Sequence, residues 1–319
     1  MDYLLQRRLI FVTGKGGVGK STVAISLGLV AARRGLRTIV AELSGHDRLQ
    51  ALFEPPAQNG GSGRPGAEHP YEEVELAPDL FAISIDPQHA MEEYLRVKTG
   101  PLGQAVGSTK LFQAFAMATP GMRELLSIGK VWELAQFERR TRDAEPYDLV
   151  IVDAPATGHG AGILRTPRTF AEIARVGPIA HQSGQIARTI ADRSFTGVIA
   201  VSTPEEMPVN ETIGLHETLL RDELDLDAVI VNARYPELIA AADTPVLQKG
   251  LDADPGPVIR AALRAAVSRQ ARASAQAAQQ QRLQEAFPDR VLTLPYLFAP
   301  EIGLAELEEL ADNLEASLA

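Results

Sequence analysis

Short, nearly unbroken apolar runs alternate along the chain with longer stretches in which apolar residues recur at helical spacing. The runs fall at residues 9–12 (LIFV), 38–41, 80–85, 148–152, 197–201, 228–231 and 291–294. Each is rich in β-branched residues or leucine and lacks the alternation of a strand with one wet face, so each predicts a strand buried on both sides. Between the first two lies a Gly-rich loop at 13–19, then an apolar-periodic stretch at 20–35 that ends on a glycine and predicts a helix. Strand, loop, helix, strand is a βαβ unit, which predicts a mostly parallel twisted sheet flanked by helices. Residues 57–70 contain QNGGSGRPGAEHP, almost without apolar residues, and predict a flexible loop. The interval 87–146 is far longer than a crossover helix. Its helical periods at 91–95 and 123–137, with a further helical stretch at 168–191, predict a helical subdomain inserted at 88–146 and 163–194 of a single domain spanning 1–319. Residues 257–287 predict one long polar helix.

Composition narrows the classes. Apolar residues make up 45% of the 319, but aromatic ones only 5%, which suits helices packed on a buried sheet. The net charge of −10 argues against a nucleic-acid partner, since phosphate contacts need clustered cations. With no cysteine, disulfides, thiol catalysis and cysteine-bound zinc are excluded. The first residues carry no secretory pattern and no run approaches the roughly 18 apolar residues of a membrane span, so a cytoplasmic protein without stable membrane insertion is expected.

The chemistry is concentrated in Gly14-Lys15-Gly16-Gly17-Val18-Gly19-Lys20-Ser21-Thr22. The segment matches G-x-x-x-x-G-K-[ST], follows a predicted strand and opens a predicted helix, which is the context a P-loop NTPase requires. Gly16, Gly17 and Gly19, with Val18 between them, let successive backbone N–H groups converge on an anion, and the helix N-terminus at Lys20 to Thr22 adds positive potential. Lys20 is placed to reach the β- and γ-phosphates and the Ser21 hydroxyl to ligate Mg²⁺. ATP and Mg²⁺ are therefore the expected cofactors. Asp153, at the end of the run 148–152, is the candidate second metal ligand.

The extra lysine at Lys15 makes the loop similar to the deviant Walker A loop of MinD, ParA, nitrogenase iron protein and the ArsA/GET ATPases. Further segments resemble the ArsA/GET branch: Asp153-Ala154-Pro155-Ala156-Thr157-Gly158-His159 its switch II, Ile85-Asp86-Pro87 with Glu92-Glu93-Tyr94, Pro120-Gly121 with Glu124-Leu125-Leu126-Ser127, Pro204-Glu205 with Glu211-Thr212, Val231-Asn232, and Pro295 with Gly303-Leu304. The chain is identified as a member of that family in a cysteine-free form. The resemblance implies a nucleotide-sandwich dimer, homodimeric or formed with a paralogue, in which Lys15 reaches the partner's nucleotide. It also implies adenine contacts from Asn232, a C-terminal segment from Pro295 closing over the base, and a helical subdomain that binds a hydrophobic protein client.

Three departures qualify those implications. An ungapped count back from Phe53 puts Ser44 where the family has the Asp that orients the attacking water, with Glu42 on the preceding acidic position. A serine is a poor base, so Glu42 or Asp47 is the alternative carboxylate. The second reading is accordingly a weakly or non-hydrolysing ATP-binding scaffold completed by a paralogous partner. The lack of cysteine disfavours thiolate capture of arsenite. Finally, the C-terminal stretch LAELEELADNLEASLA is acidic, unlike a membrane-targeting helix of the MinD type.

Overall fold

The computed structural model describes residues 2–43, 49, 52–53, 72–93, 119–139, 144–174 and 177–318. A 3₁₀ turn at Asp2–Gln6 leads into β1 (Leu9–Gly14), α1 (Lys20–Arg33), β2 (Thr38–Glu42), β3 (Val74–Ala77) and β4 (Leu80–Ser84). Then come α2 (Met122–Leu134), β5 (Leu149–Asp153), α3 (Thr157–Ala174), α4 (Pro178–Ala191), β6 (Thr196–Ser202), α5 (Glu206–Arg221) and β7 (Ala228–Arg234). The chain closes with α6 (Thr244–Asp252), α7 (Pro257–Ala286), β8 (Val291–Pro295) and α8 (Leu304–Leu318). The eight strands form one sheet in the order β3-β4-β2-β5-β1-β6-β7-β8, parallel throughout except for the β3–β4 pair.

The unbroken apolar runs have a simple cause. Ile10 and Val12 of β1 face a core filled by α1 and α8, whereas Leu9 and Phe11 face a second core filled by α2, α3, α4 and α5. Every position of β1, β2, β5 and β6 is buried. The chain leaves β1 through α1 toward β2 and leaves β5 through α3 and α4 toward β6, so the two connections diverge from neighbouring strands. That point, at the carboxyl ends of β1 and β5, is where an open α/β sheet forms its binding crevice.

Three elements add to or depart from the sequence expectation, and the run at 291–294 is not buried on both sides but forms an edge strand, β8, in which Leu292 and Leu294 are buried and Val291 and Thr293 half-buried. The sheet begins with an antiparallel edge strand, β3, whose VELA is short, half exposed and acidic, and so carries no buried-strand signature. The helical stretch expected at 168–191 is two helices, α3 starting earlier at Thr157 and α4 starting at Pro178 behind Gly177, whose φ of +98° no helix accommodates. The acidic C-terminal stretch is α8, which buries Leu307, Leu310, Leu314 and Leu318 and turns its carboxylates outward, pairing Asp312 with Arg33 and Glu315 with Arg34. The expected loop at 57–70 lies outside the described residues.

A buried ion network ties α2 to the sheet edge. The Arg139 side chain is 1% exposed and bonds Glu133 at 3.3 Å and Glu73 at 2.5 Å. The Tyr147 hydroxyl donates to Glu73 at 2.7 Å, and Lys130 bridges Glu133 and Glu93. Burial pushes the Glu73 carboxyl up, but the hydrogen bonds from Arg139 and Tyr147 outweigh it and hold the group below the usual carboxylate value. A depressed carboxylate stabilises the fold above its unfolded pKa of about 4.3, and that contribution disappears as pH falls through the lower folded value. The denaturant midpoint is therefore expected to drop as pH is lowered below about 5, and Glu73→Gln to flatten that dependence. An unchanged slope in the variant would remove Glu73 from the account.

Candidate active site

The crevice is built on glycine geometry. Gly14 ends β1 with φ +146°, and a Cβ there would lie 2.2 Å from the Val201 carbonyl oxygen of β6. Gly17 and Gly19 sit at φ +85° and +91°, the left-handed region that glycine enters without steric cost. Among the described residues, chain neighbours aside, no atom lies within 4 Å of a Cβ built on Gly17, and one built on Gly16 meets the Ala156 Cβ at 3.8 Å, so the space beside these two residues is open. Gly19 caps α1 with no side-chain hydrogen bond, which leaves the first N–H groups of α1, at Lys20 to Thr22, directed at that space. Lys20 Nζ donates to the Lys15 carbonyl at 3.0 Å, so its charge lies along the loop. Val18 is buried beneath it.

Asp153 ends β5 beside the first turn of α1. The Ser21 hydroxyl donates to its Oδ2 at 2.5 Å. Asp153 is aligned with Val12 of β1 on one side and with Glu42 of β2 on the other, and Glu42 is aligned in turn with Ser84 of β4. Two carboxylates thus occupy adjacent strand ends, 5% and 1% exposed. A hydroxyl and a carboxylate in contact, next to open space lined by N–H groups, are hard oxygen ligands of the type Mg²⁺ accepts while keeping other positions for phosphate and water. The residues present fit the ion. Among the described residues no three His, Cys, Asp or Glu side chains cluster as a metal site of their own.

The remaining candidates divide. Lys15 forms an ion pair with Glu211 of α5, both side chains being about one-third exposed. Asn232, near the end of β7, donates from Nδ2 to the Val18 carbonyl at 2.9 Å and so touches the loop itself. Pro295 ends β8, paired with Arg234 of β7, one strand farther out. Ser44 and Asp47 lie outside the described residues. The sequence singled out Glu211 only as part of the family likeness and not as the partner of Lys15, which lies 196 positions away. It also missed an aromatic cluster beside Asn232 and Pro295. Tyr235 stacks on Tyr296 at 4.5 Å and meets Phe298 edge-on at 5.9 Å, with Arg272 over Tyr235 and Arg269 over Phe298. The signal was present in Asn232-Ala233-Arg234-Tyr235 and Pro295-Tyr296-Leu297-Phe298 as two aromatic-bearing strand ends.

Comparison with known proteins agrees with this arrangement. The model of the anion-transporting ATPase (ArsA) family matches residues 7–181 and 171–252. The chain is similar to the ATPase BagA of Mycobacterium tuberculosis, 32% identical over 256 residues, covering 77% of this chain and 71% of that protein. It is also similar to an ATPase ASNA1 homolog of Entamoeba dispar (26% identical, 71% of this chain and 76% of the relative) and to the arsenical pump-driving ATPase of Acidiphilium multivorum (24% identical, 73% and 40%). The open glycine loop, the Ser21–Asp153 pair and a match across most of the chain converge: this protein belongs to the anion-transporting ATPase family.

Proposed function

We propose that the protein is a Mg-ATP-dependent ATPase that works as a switch in a nucleotide-sandwich dimer. The observation that carries this is the Ser21–Asp153 contact beneath the open loop of Gly16, Gly17 and Gly19. The loop N–H groups and Lys20 take up the β- and γ-phosphates of ATP. Ser21 and Asp153 hold Mg²⁺, which supplies neutralising charge to the phosphate oxygens when bound. Lys15 leaves Glu211 and reaches the partner's nucleotide, where it offsets charge that develops as water attacks in line. α3 begins four residues after Asp153, so a change at the phosphates passes to α3 and α4. Ile173 and Ile179, exposed near the junction of those helices, offer an apolar client a contact. The helical segments at 88–146 and 163–194 are the part of this single domain that we assign to output.

The test is subunit complementation. Lys15→Ala and Lys20→Ala are each expected to be inactive alone. Mixed, they regain about a quarter of wild-type turnover, because random pairing makes about half the dimers hybrid and each hybrid has one complete site. A mixture as inactive as its components would remove the shared site.

One observation favours the second reading, an ATP-binding scaffold that hydrolyses slowly without a paralogous partner. Glu42 is 1% exposed, so its carboxylate offers attacking water little access, and the aligned Asp position holds Ser44. Turnover that rises only on addition of a second family member would support it.

A further inference from the structure

We propose that Asn232 is a positioning residue for the phosphate loop: its amide holds the Val18 carbonyl and thereby fixes the array of N–H groups that takes up the triphosphate. The inference rests on the reading that this loop binds ATP, and it concerns a step that base recognition does not explain.

The glycines that open the loop also loosen it. A peptide group next to a glycine at positive φ rotates at little cost, and rotation of the Val18–Gly19 peptide would turn a carbonyl oxygen toward the phosphates where an N–H is needed. A restraint from outside the loop removes that freedom, and Asn232 is placed to supply it. Nδ2 donates to Val18 O at 2.9 Å from a position 214 residues away. The same atom would lie 2.3 Å from a Cβ on Gly19, so the side chain closes directly against the two residues that precede Lys20.

Asn232 is itself held from behind. Alternation along β7 sends Ala228 and Ile230 to the core under α1, and Val229 and Val231 to the other core, so Asn232 follows Ile230 toward the start of α1. The ladder with β8 then breaks. Val231 is aligned with Thr293 and Arg234 with Pro295, one residue extra on β7, and Ala233 takes φ +59°. A non-glycine residue in that region marks a turn imposed by its surroundings. Here the surroundings are α7. Arg234 bonds Gln280 at 2.9 Å, the Ala273 carbonyl at 3.2 Å and the Tyr235 carbonyl at 2.8 Å, while Gln276 accepts from the Tyr235 N–H at 2.8 Å. The loop therefore leans on a post fixed to a long helix, the arrangement a precise binding site requires. Asn232 Oδ1 stays available to the base, so one side chain serves both ends of the nucleotide.

The decisive probe has phosphates and no base. Calorimetric titration with Mg²⁺ present compares ATP with inorganic tripolyphosphate for the wild type, Asn232→Ala, the near-isosteric Asn232→Leu, and Ala233→Gly. Losing one neutral hydrogen bond predicts tripolyphosphate binding about three- to tenfold weaker in both Asn232 variants, with ATP weakened at least as much. The melting temperature of the ligand-free protein stays near that of the wild type, and Ala233→Gly, which keeps the turn, leaves both affinities within about twofold. Unchanged tripolyphosphate binding alongside weakened ATP binding would assign Asn232 to the base alone and overturn the proposal. A loss that tracks a collapse of the ligand-free melting temperature in both Asn232 variants would overturn it too, by making the residue a general stabiliser. A wild-type protein that binds neither ligand would overturn the nucleotide reading, and this proposal with it.

Discussion

Replacing Asp153 by asparagine is expected to lower ATP turnover by about 10²–10³-fold and to raise the Mg²⁺ concentration needed for half-maximal turnover, in a protein that stays folded. The size follows from what is lost. Asp153 is 5% exposed at the carboxyl end of β5, so its charge acts where water screens it little. Its Oδ2 accepts from Ser21 at 2.5 Å, and Asn Oδ1 can still accept that bond, which is why shape and packing survive while the anion does not. Removing a single preorganised electrostatic contact from a transition state typically costs that factor in kcat. The paired measurements are phosphate release against Mg²⁺ concentration and thermal unfolding. Unchanged turnover would move the metal away from Asp153 and leave the Ser21 contact a helix-to-strand tether.

Arg139→Leu is expected to cost about 2–4 kcal/mol of stability, because it removes a buried guanidinium and leaves the buried Glu133 carboxylate to Lys130. Its guanidinium is 1% exposed and serves Glu133, itself 3% exposed, together with Glu73. These partners anchor different elements. Glu133 belongs to α2, Glu73 lies just ahead of β3, and Tyr147, which also bonds Glu73, lies just ahead of β5. For a chain of this size the loss corresponds to a melting point lower by roughly 3–6 °C. The double replacement Arg139→Leu with Glu133→Leu is expected to recover part of it, since removing both charges avoids the stranded ion that makes the single change severe. A single variant within about 1 kcal/mol of wild type would mean the network is solvated in solution.

How far these features were legible in the sequence depended on how local they were. Buried strands such as β1 and β5 declare themselves because both faces are covered and every position is apolar, so the α/β class and the mostly parallel sheet read from those runs are the ones observed. β3 does not declare itself, since an exposed edge strand needs no apolar side chains. The junction of α3 and α4 was hidden inside a continuous helical composition, although Gly177-Pro178 marks it in hindsight. In the site, the stretch from Gly14 to Ser21 is contiguous and Asp153 closes a recognisable strand, so both were visible. The contacts that give Lys15 and Asn232 their surroundings were not. Glu211 and Val18 lie 196 and 214 residues from them, and only the tertiary fold brings such groups together.

The most direct test of the central claim is steady-state phosphate release from the purified protein with Mg-ATP, with Lys20→Ala as the blank. Lys20 Nζ lies along the loop, bonded to the Lys15 carbonyl, so the variant removes the charge aimed at the phosphates and leaves the α1 backbone in place. We expect turnover clearly above that blank. Turnover equal to the blank, in wild-type protein that still binds ATP, would contradict the self-sufficient ATPase and leave a nucleotide-binding scaffold that hydrolyses only when a partner completes its site.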